Sequence, residues 1–133
     1  MLLTAPRIKG LVLILLAALL FSGCTTPTIT NLTPSRLYRK DSGQYDFGVE
    51  WYSRQQSLVK DSMRAYVVVG LEQYEMQRVP YLTNRWETLV PIPDTEDLVT
   101  YRYRFDYEYR AIPVRKEDSK MSRFYQLIIL EEP

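Results

Sequence analysis

Val99-Thr100-Tyr101-Arg102-Tyr103-Arg104-Phe105-Asp106-Tyr107-Glu108-Tyr109-Arg110 alternates unbroken between apolar or aromatic residues and polar ones. Successive side chains of an extended chain point to opposite faces. The run therefore sets Val99 and five rings on one side, and Thr100, Arg102, Arg104, Asp106, Glu108 and Arg110 on the other. Five rings on one face predict a core strand with its charges toward water. Tyr107 and Tyr109, at the outer end, are the rings placed to leave the core and offer stacking surface to a ligand.

The neighbouring segments repeat the pattern. Tyr45, Phe47, Val49 and Trp51 alternate with Asp46, Gly48, Glu50 and Tyr52, the period-2 mark of a half-buried strand. Met63-Arg64-Ala65-Tyr66-Val67-Val68-Val69-Gly70 is β-rich and more continuously apolar, and predicts a central strand ended by Gly70. Residues 72–79, 85–92 and 123–130 predict further strands, with a short first one at residues 29–32 between Pro27 and Pro34. Residues 53–62 and 113–122 predict polar loops. Trp51 and Trp86 are expected in the core. Six to eight short strands with a turn every ten residues or so predict an all-β fold, an immunoglobulin-like antiparallel β-sandwich of about seven strands, over residues 28–133. The paired cysteines of antibody domains are absent.

Upstream of the domain the composition changes. Arg7 and Lys9 precede an uncharged stretch, Leu11-Val12-Leu13-Ile14-Leu15-Leu16-Ala17-Ala18-Leu19-Leu20-Phe21, followed by Ser22-Gly23 and the sole cysteine, Cys24. This is the layout of a secretory signal peptide, residues 1–23. Its apolar stretch covers about 16 Å as a helix, about half of a bilayer's hydrocarbon core. Phe21-Ser22-Gly23-Cys24 resembles the bacterial lipobox, with Phe where Leu is commonest. The resemblance implies cleavage after Gly23, diacylglycerol on the Cys24 thiol, and residues 24–34 as a lipidated tether. Two or more acyl chains hold a protein stably on a bilayer. By the sorting rule of enteric lipoproteins, Thr25 in the place of Asp implies the outer membrane, facing the periplasm.

Removing residues 1–23 from a chain of 133 leaves 110, the length of one domain with one core. The removed part holds two of the 17 basic residues and none of the 16 acidic ones, so the mature chain has a formal charge of −1. No basic field for nucleic acid follows. Histidine is absent, and with it the commonest general base and metal ligand. With Cys24 acylated no thiol remains, so the domain must hold without a disulfide.

Val67-Val68-Val69-Gly70, then Met76 and Arg78, then Arg85-Trp86-Glu87 with Val90 and Ile92, then Tyr103-Arg104-Phe105, resembles the early-set immunoglobulin-like domains that bind glycogen in the AMP-activated kinase β subunit and in branching enzymes. The match covers about a third of the chain and falls mostly on core positions. It implies a sugar-binding set with Tyr74 in place of the stacking tryptophan, Arg104 in place of the ligand lysine, and Tyr109 near the second stacking aromatic.

Other motifs carry less. Ser57-Leu58-Val59-Lys60 spells S-x-x-K, but its companion Ser-Asp-Asn and Lys-Thr-Gly motifs are missing. Asp94, Glu96 and Asp97 form an acidic turn without calcium-loop spacing. Asn31-Leu32-Thr33 is a glycosylation spelling without meaning in a bacterial lipoprotein. The expectation is a non-enzymatic, lipid-anchored cell-envelope protein without cofactor or metal. It meets the membrane through Cys24 and an envelope protein through its polar loops or an exposed sheet edge. Carbohydrate binding through Tyr74, Arg104, Tyr107 and Tyr109 is the alternative.

Overall fold

A computed structural model describes residues 5–20 and 26–133. Helix α1 takes Ala5–Leu20, and nine strands follow: β1 (Thr28–Asn31), β2 (Arg36–Tyr38), β3 (Gln44–Tyr52), β4 (Arg64–Val69), β5 (Glu72–Arg78), β6 (Arg85–Pro91), β7 (Leu98–Tyr109), β8 (Lys116–Met121) and β9 (Tyr125–Leu130). Strand β7 does what its period requires. Tyr101, Tyr103 and Phe105 are fully buried and Tyr107 nearly so, while Arg102, Arg104 and Asp106 lie on the opposite face.

The strands form one curled mixed sheet in the order β1-β3-β6-β5-β4-β7-β9-β2, with β8 also paired to β7. Strand β5 makes the turn of the curl. Glu72 to Met76 pair with β4, whereas Gln77 and Arg78 pair with β6. The face of β3 and β6 thereby comes to lie over that of β4 and β7, and aromatic side chains fill the space between them. Phe47 meets Tyr101 edge-on at 4.8 Å, and Phe105 receives Trp51 at 4.8 Å and Trp86 at 5.3 Å between ring centroids. Such tilted and edge-to-face pairs add about 0.5–1.5 kcal/mol each to the gain from burial. Trp51 and Trp86 are both core residues, as their strand positions predict.

Three features differ from the sequence reading. There are nine described strands rather than about seven, and one pairing is parallel: β2 runs beside β9, with Leu37 opposite Ile129. The parallel pair arises because β1 lies on β3 in one half of the curl and the chain then crosses to the other half. Three residues are too few to show a period, so β2 leaves no trace in the sequence. The third difference lies in residues 113–122, expected as a loop. Lys116–Met121 is strand β8, and Arg104 to Tyr109 of β7 pair with all six of its residues. From Tyr101 to Arg104 of β7 there are three steps, but from Met121 to Tyr125 there are four. One extra residue separates β8 from β9, a β-bulge marked by Ser122, whose N–H donates to the Tyr103 carbonyl while its Oγ accepts the Tyr103 N–H.

A buried polar knot secures the crossing from β1 to β2. The Tyr103 hydroxyl donates to Asn31 Oδ1 at 2.7 Å and lies 2.7 Å from Thr33 Oγ1, while Asn31 Nδ2 donates to the Tyr101 hydroxyl at 2.9 Å. Thr33 also accepts the Gly48 N–H at 3.0 Å. Residues 28–31 are strand β1 and Asn31 and Thr33 belong to the knot, while Cys24 and Thr25 lie outside the described residues.

The registers place four segments at one end of the β unit: residues 26–27, the β3–β4 connection (53–63), the β5–β6 turn (79–84) and the β7–β8 loop (110–115). Residues 39–43, 70–71, 92–97 and 131–133 occupy the other end. Every described buried side chain lies between Thr33 and Ile129, and Ile8 to Ala18 of α1 are exposed, so the β unit carries a complete core of its own. Among the described residues no helix is long and apolar enough to cross a membrane.

Candidate functional site

The outer side of β4, β7 and β8 holds a shallow concavity of about 840 Å³, larger than one of about 620 Å³ at the other end of the β unit. Its chemistry follows from parity. The outward positions of β7 bring Asp106 and Glu108 to the surface, their β8 partners are Ser119 and Glu117, and β4 contributes Arg64 and Tyr66. Asp61, from a single 3-10 turn Lys60–Ser62, closes one side. Five carboxylates, Asp61, Asp106, Glu108, Glu117 and Asp118, line the hollow together with Arg64; Arg104 pairs with Asp106 and Arg115 with Glu108.

These groups are held in place. Ser119 Oγ donates to Asp106 Oδ1 at 2.7 Å, Arg104 reaches Asp106 Oδ2 at 3.1 Å, and Ser62 Oγ accepts the Glu108 N–H at 2.8 Å. The Arg104 guanidinium lies 4.5 Å from the Tyr66 ring centroid, a cation–π stack that fixes the floor. Tyr107 donates to Asp118 Oδ2 at 3.2 Å. Burial, then the neighbouring Asp118 charge, pushes the Tyr107 hydroxyl up to about 12, so it serves as a neutral donor at ordinary pH.

Strand β8 forms the rim. All six of its residues are exposed, and among the described residues nothing pairs with its outer edge. In an antiparallel ladder alternate residues turn their N–H and C=O groups to the partner. The Ser122–Tyr103 bond fixes the phase, so Lys116, Asp118 and Lys120 bond β7, while Glu117, Ser119 and Met121 turn their backbone groups outward, the Ser119 N–H donating to Asp118 Oδ1 at 2.8 Å. Charged side chains along such an edge restrain indiscriminate pairing.

The residues singled out for sugar binding do not meet on one surface. Arg104 faces outward on β7, whereas Tyr107 and Tyr109 share its inward face; Tyr107 is only 4% exposed, its ring tilted against that of Trp51 at 5.3 Å. Burial therefore corrects the expectation that Tyr107 leaves the core. Tyr109 is half-buried beside Leu58. Tyr74 packs against the core from β5, opposite Val67, and borders the concavity at the far end with Glu72 and Asp94. Cys24 lies outside the described residues. In the acidic turn, Asp97 pairs with Arg39, which also binds Glu131. Missed by the sequence reading were β8 and its hollow; only the run of charges in Lys116-Glu117-Asp118-Ser119-Lys120 marked them.

No protein-family model matches the chain, and no curated protein matches it.

Proposed function

We propose that this chain is a non-enzymatic, lipid-anchored envelope protein built on an immunoglobulin-like sandwich, and that it acts as an assembly module by receiving an extended segment of another envelope protein along β8. The order β1-β3-β6 in one half and β4-β7-β9 in the other supports the sandwich reading, since immunoglobulin-like domains divide their strands in this way. The observation that carries the function is the exposed outer edge of β8, held in extended form on β7 with the backbone groups of Glu117 and Met121 and the Ser119 carbonyl facing a further strand. The carboxylates beside it favour a basic partner segment.

The test uses Glu117→Pro. Proline there removes an outward N–H but leaves the ladder to β7 intact, so the fold persists while strand addition is blocked. Crosslinking and co-purification from native membranes should recover a partner with the wild type and lose it with the variant. Equal recovery with both would place the partner elsewhere.

A further inference from the structure

We propose that the end of the β unit at which the chain enters the first strand is a docking face for an anionic lipid bilayer. Three loops meet there. The β5–β6 turn presents Tyr81, wholly exposed, and Leu82; the β7–β8 loop presents Ile112, 99% exposed, and Val114; Tyr52 ends β3 beside them. Single exposed apolar residues are ordinary on a protein surface, but a group on the loops of one end is not. At the opposite end one apolar residue, Leu71, stands on a turn tip, with Tyr38 and Leu98 exposed where β2 ends and β7 begins.

Tyr81 adds an independent observation. Its φ is +66°, and the Leu82 N–H donates to the Val79 carbonyl across the turn Val79-Pro80-Tyr81-Leu82. Proline second and a positive φ third is the pattern of a type II turn, whose third place suits glycine or asparagine. A tyrosine there is strained, and its ring is directed into solvent where it contributes nothing to the core.

Charge chooses the kind of surface. The loops of this end carry Arg54, Lys60, Arg110 and Arg115 against Asp61; Arg115 pairs with Glu108 of the acidic hollow, which opens on the flank of the same end, so Arg54, Lys60 and Arg110 are the cations left at the tips. The loops and tail of the far end carry Asp41, Asp94, Glu96, Asp97, Glu131 and Glu132 against Arg39 and Lys40. Basic groups around apolar tips suit a layer of anionic headgroups over hydrocarbon, and the acidic end is repelled by it. Chain length agrees, in a step that rests on the lipid-anchor reading: from Cys24 to Thr28 the backbone reaches at most about 14 Å. An acyl chain on Cys24 would hold this end, and not the other, against the headgroups.

Because the β unit has its own complete core, residues 26–133 can be tested without any lipid. Sedimentation with vesicles of phosphatidylethanolamine and phosphatidylglycerol should recover the domain, with about tenfold weaker binding to pure phosphatidylcholine and weaker binding as salt is raised. Tyr81→Gly with Ile112→Ser should reduce binding by about tenfold or more, since both tips leave the interface. Tyr81→Gly relieves the turn, so an unchanged or raised melting temperature shows that the loss is not one of folding. Failure to bind any vesicle, equal binding to phosphatidylcholine, or undiminished binding by the double variant would overturn the proposal. An acylated Cys24 peptide found alongside such a failure would leave the anchor standing and remove only the docking face.

Discussion

Tyr103 lies fully buried among hydroxyl and amide partners, and Tyr101 and Tyr107 of the same strand are buried as well. Burial raises all three hydroxyls above the usual phenol range, Tyr107 to about 12. The folded chain therefore keeps protons that the unfolded chain releases near pH 10. Stability is complete below that pH and falls as pH climbs through the raised values, at up to about 1.4 kcal/mol per pH unit for each group. An alkaline titration followed by tyrosinate absorbance and circular dichroism should show Tyr101, Tyr103 and Tyr107 ionising only as the fold is lost. Ionisation of Tyr101, Tyr103 and Tyr107 with the fold intact would contradict their burial.

At the scale of an element, β8 is bonded on one side only. In hydrogen exchange, the amides of Lys116, Asp118 and Lys120 should be protected by β7, while those of Glu117 and Met121 exchange at nearly the rate of a free chain. Uniform protection would mean that a second strand, from another copy, already covers the edge. The contrast between β7 and β8 also shows what a sequence can disclose. Strand β7 alternates because one of its faces is buried, and that face writes a period into the residues. Strand β8 buries neither face and is held by backbone bonds to β7, which leave no side-chain pattern. The hollow was illegible for a related reason: Asp61, Asp106 and Glu117 belong to three separate segments and become neighbours only through strand pairing. Parity did disclose that Arg104 and Tyr109 lie on opposite faces, and the geometry agrees. The strain at Tyr81 had no signal beyond a proline followed by a bulky residue.

For the whole molecule, the anchor reading makes one demand. Mass spectrometry of the native protein should find an acylated peptide beginning at Cys24, and Cys24→Ser should leave the precursor unprocessed or the domain mislocalised. A mature chain that starts elsewhere, or a free thiol at Cys24, would sink it. The polar knot at the β1–β2 crossing has a mechanical consequence as well. A pull on the chain at Thr28, directed away from the end where it enters, acts along β1, parallel to β3 and across the bonds that join them. Such a load shears the short ladder as a unit instead of opening it one bond at a time. Beyond Asn31 it reaches Thr33, fastened to Tyr103 in the opposite half of the curl. Tension entering through the four residues of β1 is therefore handed to the longest of the described strands, and the knot acts as the rivet between β1 and the opposite half of the curl.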